Sequence, residues 1–336
     1  MQSPACAKVG VLTVDEPHAI RCSSDVPGPS NYYSDINRGH LSVELESPGL
    51  VGEADVAALC RNTDAPDTVG SNEHSLLPHV IFINLNHRVD RCLAIAAQLM
   101  AAGWPSHRVH RLPATLNESH GDVGCADSHL RALQLASASG WSDVLVLEDD
   151  ITFHNATAAR HAVLAWLAWT HSMHHSWTVV LLSGIRRDLQ FEAFFTAPIC
   201  NASSASPPRL TPPLMRHVRN TQTAAAYLVS REYLPTLAGN IGEAASELRA
   251  HPELHATHSV DQHWKVLQET DEWLRFDPFL ASQAPGYSDI THRQADHAFA
   301  FRAYEIVRRA TEAGKPAPPT IWVPQMDKYG GGVTEA

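Results

Sequence analysis

The sequence predicts an α/β fold, a mostly parallel sheet flanked by helices. Three observations predict it. Compact apolar runs rich in β-branched residues (His79–Leu85, Val109–Pro113, Val144–Leu147) read as buried strands. Segments of helical spacing alternate with these runs, and glycines close two of them. The run Val144-Leu-Val-Leu-Glu-Asp-Asp150 ends in three consecutive carboxylates, which puts them at the carboxyl end of a strand. Ligands of open α/β sheets lie outside that rim.

In chain order, residues 1–76 are rich in Ser, Pro, Asp, Asn and Gly and carry no sustained pattern, so they read as a loosely packed extension. The first strand is His79–Leu85, followed by a turn at Asn86–Asp90. Leu93, Ala96, Ala97 and Met100 give Arg91–Ala102 a helical face, closed by Gly103. Val109–Pro113 is the second strand. Asp127 suits the N-cap of a helix over Ser128–Ser139, closed by Gly140. The acid-tipped strand follows. Strand, helix, strand, helix, strand at this spacing predicts parallel pairing with right-handed crossovers.

Thr157–His171 reads as an amphipathic helix and Trp177–Leu182 as a strand ended by Ser183-Gly184. Residues 186–220, rich in Pro and Ser, read as a long loop or hairpin over one face, a kind of segment that is often functional. Ala224–Val229 returns to strand character. Arg231–Leu237 and Ser259–Leu267 read as short helices, and Leu274–Phe279 as a last strand-like run. The end, with Pro316, Pro318, Pro319 and Gly330-Gly-Gly332, reads as a tail.

The 336 residues, 44% hydrophobic and 18% charged, suffice for one large domain or two small ones. With 25 Lys and Arg against 36 Asp and Glu, the net charge of −11 excludes nucleic-acid binding as the main task. No apolar run is long enough for a transmembrane segment. The start, Met1–Lys8, lacks the pattern of a signal peptide. Cysteines 6, 22, 60, 92, 125 and 200 are scattered, without a C-x-x-C pair, and spell neither a zinc framework nor a dense disulfide scaffold. Sequons at Asn117, Asn155 and Asn201 leave the compartment open between cytoplasm and secretory-pathway lumen.

Glu148-Asp149-Asp150 is the strongest site signal. Three adjacent carboxylates repel one another unless a cation or a shared proton offsets them, and oxygen ligands suit Mg²⁺ or Mn²⁺. The plain alternative is a solvated acidic turn. Arg88 and Arg91, after the first strand, suit bidentate phosphate binding or a surface ion pair. In Gly124-Cys-Ala-Asp-Ser-His129 the free amides of a helix start can hold an anion or a ribose. Cys125 alone reads as a small buried hydrophobe, and His129 alone as a structural histidine. His171-x-x-His174-His175 has metal-like spacing but no nearby acid, and in a chain of 21 histidines reads as chance. Asp261 suits either a general base for an acceptor hydroxyl or an N-cap, as does Ser259 for the second role.

Taken together, Phe82-Ile-Asn-Leu-Asn-His-Arg-Val-Asp-Arg91, Gly124-Cys-Ala-Asp-Ser-His129 and Val146-Leu-Glu-Asp-Asp150 resemble the motifs of glycosyltransferase family 25, which includes lipopolysaccharide glycosyltransferases and collagen galactosyltransferases. The match covers residues 78–153 well and continues weakly through Thr221–Ser230, Asp261 and Gln283–Ile290. The turn departs from the family, with Asn86-His87-Arg88 where an acid and two basic residues are common.

The resemblance implies a GT-A-like, Rossmann-like fold with a single catalytic domain over 77–300; beyond it, 301–336 reads as a C-terminal helix and tail. It implies a UDP-sugar donor, often UDP-galactose, a glycan or protein acceptor, and Mn²⁺ (or Mg²⁺). Asp150 and Glu148 would hold the metal, with His292 completing its shell. Asn84, Arg88, Arg91, Ser128, His129, Glu148 and Asp149 would line the donor side, and Asp261 would be the base of an inverting displacement. Two other readings fit the same residues: a catalytically inactive nucleotide-sugar-binding module, and a Mg²⁺-dependent phosphohydrolase.

Overall fold

The computed structural model describes residues 56–57, 59–60, 76–186, 194–195, 215–290 and 292–295. Most of the expected N-terminal extension and of the 186–220 loop, the Asn201 sequon and the 301–336 tail lie outside the described residues.

The strands form where the apolar, β-branched runs predict them. They are β1 (His79–Asn84), β2 (Val109–Pro113), β3 (Asp143–Glu148), β4 (Ile151–Phe153), β5 (Val179–Leu181), β6 (Ile185–Arg186), β7 (Phe194–Phe195), β8 (Met215–His217), β9 (Thr221–Gln222) and β10 (Ala226–Ser230), then β11 (Trp273–Phe276), β12 (Ala281–Gln283), β13 (Gly286–Ser288) and β14 (Arg293–Ala295). The central sheet has the order β2-β1-β3-β10-β5-β11-β8-β7. Strands β2, β1, β3, β5, β11 and β7 run one way, while β10 and β8 run against them. The fold is therefore the expected α/β sandwich with a mostly parallel sheet.

The reversal at β10 has a local cause. No helix crosses back between β5 and β10 among the described residues. The chain leaves β5, pairs β6 antiparallel with β9, and re-enters from the rim it left. The start of β10 thus sits beside the carboxyl ends of β3 and β5, with Ala226 opposite Leu147 and Tyr227 opposite Leu181.

Alternation along the strands splits the core in two. Val80, Phe82, Leu145, Leu147, Leu228 and Leu274 face helices α1 (Val89–Ala101) and α3 (Ala156–Met173), represented by Ile95, Leu99, Val163 and Trp166. Ile81, Ile83, Val144, Val146, Tyr227 and Val229 face helices α2 (Gly121–Ala138) and α4 (Leu234–Ala250), through Ala126, Leu133, Leu237 and Ile241. Near-continuous apolar strands are what a sheet covered on both faces requires.

Three helices correct the sequence reading. The second begins at Gly121 rather than Ser128, so Asp127 lies within it and pairs with Arg249 instead of capping it. The early glycines are there for close approach. A Cβ on Gly121 would sit 2.6 Å from the Ile290 Cα, and one on Gly124 2.4 Å from the Thr115 carbonyl oxygen. The helix expected over Arg231–Leu237 starts with a 3₁₀ turn at Arg231–Tyr233 and runs on to Ala250, past Gly239 and Gly242. The Ser259–Leu267 helix is instead a chain of short turns: α5 (His255–His258), α6 (Val260–His263) and α7 (Lys265–Thr270).

The scattered cysteines supply one bridge among the described residues, Cys60–Cys92, which ties the segment around Val56 and Leu59 to buried α1.

At the far end of β3 from the acids, Asp143 is pushed up to about 7 by withdrawal from water and then by Glu232. The sign follows directly. An unfolded Asp ionises near 4, so the folded state loses stability as pH rises from about 4 to about 7. Asp143→Asn is expected to melt at wild-type temperature at pH 4. The variant's advantage should grow to pH 7 and then level off, as followed by circular dichroism.

Candidate functional site

The carboxyl ends of β1 and β3 and the start of β10 share one rim. Asn84 ends β1 and is 1% exposed. Its Nδ2 donates to Asp149 Oδ2 (2.7 Å) and to the Arg88 carbonyl (2.9 Å), while its Oδ1 accepts from Arg111 Nε (2.8 Å). Arg111 Nη2 also donates to Asn86 Oδ1 at 2.7 Å. Asn84 thus fixes the turn and one acid from beneath. Its amide is engaged inside the protein on both sides.

The three acids share two partners, Arg91 and Gln283. Asp149, buried, accepts from Asn84 and from Arg91 Nη1 (3.0 Å). Asp150 lies 3.4 Å from the same Arg91 nitrogen, and Arg91 Nη2 donates to the Tyr287 carbonyl at 2.6 Å. Glu148 is split: Oε1 lies 3.4 Å from His129 Nε2, and Oε2 accepts from Gln283 Nε2 at 3.1 Å. The same Gln283 nitrogen lies 3.4 Å from Asp150 Oδ1.

The electrostatics match a rim short of positive charge. Burial raises the Asp149 carboxyl, opposed by Arg91 and Asn84. Asp150 is pushed up to about 7, first by withdrawal from water and then by Glu148. Arg88 is less available. Its guanidinium grips Asp90 (3.1 and 3.0 Å) and Asp289 (2.6 Å), which holds Arg88 further above its usual range and Asp90 below its own.

Glu148 and Asp150 converge on one amide NH₂, so two carboxylates already share a point where positive charge is favoured. That all-oxygen pair fits a hard divalent cation. His292 does not join them. It is exposed, in the left-handed region (φ 53°), and among the described residues has no hydrogen bond or ion pair to the acids.

Asp261 is buried and connected to the rim. Its Oδ2 accepts from the Thr223 backbone N–H (3.0 Å), and its Oδ1 from the Gln262 amide (3.2 Å). Thr223 Oγ1 donates to Gln283 Oε1 (3.1 Å), so hydrogen bonds run from Asp261 through Thr223 and Gln283 to both Glu148 and Asp150. Of the two N-cap candidates, Ser259 does occupy the N-cap position of α6, but without a side-chain capping bond: its hydroxyl proton is shared between Asp122 Oδ1 (2.7 Å) and the His255 carbonyl (2.6 Å), and Asp261 lies inside the turn. Thr223 holds φ 79°, a strained backbone for a β-branched residue, and such strain clusters at functional sites.

Helix α2 supplies the next wall, but not through its N-terminus. Ser128 is 1% exposed in the helix body, donating to the Gly124 carbonyl (2.6 Å) and accepting from Thr115 N–H (2.8 Å). It ties the 115–117 loop to the helix and does not reach the rim. His129, equally buried, stacks obliquely near Tyr227 and makes a 3.1 Å hydrogen bond between Nδ1 and the Tyr227 hydroxyl. Its other nitrogen faces Glu148. Cys125 lies one turn earlier on the same face.

The structure therefore brings Asn84, Arg88, Arg91, His129, Glu148, Asp149, Asp150 and Asp261 to one rim and leaves Ser128 and His292 outside it. Sequence reasoning missed Gln283, Thr223, Asp289 and Tyr227. Gln283 and Asp289 lie in the Gln283–Ile290 stretch that carried the weak end of the resemblance, which was the available signal. A cavity of about 280 Å³ lies beside the rim, between Gly121–Val123, Leu248, His255, Ile290 and Arg293.

No family model matches the chain, and no curated protein matches it. Among solved structures it is similar to a mannose-1-phosphate geranyltransferase from Thermus thermophilus, at 13% identity and a TM-score of 0.30, over 58% of each chain. The chain thus spans less than two thirds of that protein's length.

Proposed function

We propose that this protein is a metal-dependent inverting glycosyltransferase of the family 25 type. It moves a sugar, galactose in the simplest case, from a UDP-sugar to a hydroxyl of a glycan or protein. The observation that carries the reading is the convergence of Glu148 and Asp150 on the single Gln283 amide, at the carboxyl rim of the sheet.

Glu148 and Asp150 would hold Mn²⁺ or Mg²⁺ in place of that amide, and such an ion supplies charge stabilisation to a departing diphosphate. The chain's own residues do the rest. Asp149, locked by Asn84 and Arg91, keeps the acids apart and faces the ribose side. Arg91 lies against both Asp149 and Asp150, so a phosphate brought to the rim meets a guanidinium already in place. Arg88 reaches that phosphate by exchanging Asp289 for it. Asp261, oriented by Thr223 and Gln262, takes the acceptor hydroxyl's proton as the hydroxyl attacks the sugar C1.

The test is a panel of UDP-sugars with Mn²⁺ and hydroxyl acceptors, reading UDP release and product mass. UDP release that EDTA abolishes is the expected result. Donor binding without turnover on any acceptor would convert the reading to a silent binding module. Phosphate release from simple phosphoesters, with no UDP-sugar binding, would replace it with a phosphohydrolase.

A further inference from the structure

Among the described residues, one group of three side chains brings metal-ligating atoms together, and it is not the acid triplet. It is Cys125, His129 and Glu148, whose ligand atoms all lie within 4.8 Å of one another. We propose that these three form a second cation site, for a soft divalent ion of the zinc class, beside the oxygen-only rim. The inference stands whether or not the rim takes a nucleotide sugar.

Four observations carry it. The first is spacing: Cys125 and His129 are four residues apart on α2, which stacks them on one helix face. The second is distance. His129 Nε2 and Glu148 Oε1 are 3.4 Å apart, long for a hydrogen bond, yet close to the separation of about 3.3 Å expected for two ligands about 2.0–2.1 Å from a tetrahedral zinc. The third is orientation. The Tyr227 hydroxyl sits 3.1 Å from His129 Nδ1 and can accept its proton, leaving Nε2 as the ligand; metal-bound histidines are usually anchored in this way. The fourth is the division of Glu148, whose Oε1 faces this group while Oε2 faces Gln283 and the acid rim. One carboxylate therefore serves two sites of different softness.

A thiolate, an imidazole and a carboxylate with a fourth position left open are the donor set of a zinc site, whereas the oxygen-only rim suits Mg²⁺ or Mn²⁺. Binding is balanced simply: Cys125 loses its thiol proton to water as sulfur takes the metal, and His129 binds as the neutral ring. A cysteine–histidine–acid relay is the competing account, and the geometry opposes it. In a relay one ring nitrogen faces the sulfur and the other the acid. Here the acid is on Nε2 and Nδ1 is held by Tyr227.

The experiment uses the full chain, with Co²⁺ as the probe and Zn²⁺ as competitor. One equivalent of Co²⁺ is expected to give a sulfur-to-cobalt charge-transfer band that Zn²⁺ abolishes. Cys125→Ser should lose the band, while the triple variant Cys6→Ser/Cys22→Ser/Cys200→Ser should keep it. Tyr227→Phe should keep the band but weaken Zn²⁺ binding about 10–100-fold. Since Cys125→Ser could fold poorly, a second reading uses wild-type protein: Zn²⁺ should protect Cys125 from iodoacetamide, as located by peptide mass. A missing band, a band that survives Cys125→Ser, or alkylation of Cys125 equal with and without Zn²⁺ would each overturn the proposal.

Discussion

Asp150→Asn is expected to lower Mn²⁺-dependent UDP-sugar binding and transfer by about 10²–10³-fold, the size of effect seen when one preorganised electrostatic partner is removed from a transition state. The substitution keeps the shape of the side chain and removes its charge. Stability should move the other way. The carboxyl is already pushed up to about 7 by burial and by Glu148, so a neutral amide relieves a repulsion that the folded protein carries at neutral pH. The expected signature is a variant that melts at a higher temperature, by circular dichroism, and binds the donor worst, by calorimetry with Mn²⁺. Unchanged donor binding in Asp150→Asn would remove the acid rim from the proposed function.

The second large effect concerns Cys60–Cys92, which closes a loop with a sequence separation of 32. By loop-closure entropy a bridge of that span contributes about 3–4 kcal/mol. For a domain of this size, that corresponds to a melting temperature lower by roughly 6–16 °C in Cys60→Ser. A reductant should lower the wild-type midpoint by a similar amount and leave Cys60→Ser/Cys92→Ser unmoved. If reductant leaves the wild-type melt unchanged, the bridge does not form in solution. A formed bridge also fits an oxidising compartment.

The sheet was legible because its signal is local. Val80–Ile83 and Val144–Leu147 are apolar at every position, which a strand covered on both faces demands and which no exposed segment tolerates. The acid triplet was legible for the same reason, since its position follows from the strand before it. Helix starts were not. Gly121 and Gly124 look like breakers in isolation, and only the closeness of Ile290 and Thr115, distant in sequence, shows that they are spacers. The split of Glu148 between two partners was invisible too. It depends on the connection after β9 delivering Thr223, on β10 delivering Tyr227 and on β12 delivering Gln283, and no spacing rule links those residues to Glu148. Asp261 stood out in the sequence as either a base or an N-cap, but its route to the acids runs through Thr223 and Gln283, and that route is a property of the assembled rim alone.

The reversed β10 has a consequence for the long-range field at the rim. Because β10 ends opposite Asp143, helix α4 must travel back towards the acids and finish there, packed against α2, which begins there. The cavity lined by Gly121–Val123 and Leu248 therefore receives the positive end of one helix macrodipole and the negative end of the other. The two largely cancel. In an all-parallel sheet, every helix following a strand would point its positive end at the rim and draw in any anion. Here that pull is offset where α2 and α4 meet, while α1, which begins at Val89 just past the end of β1, still turns its positive end to the rim.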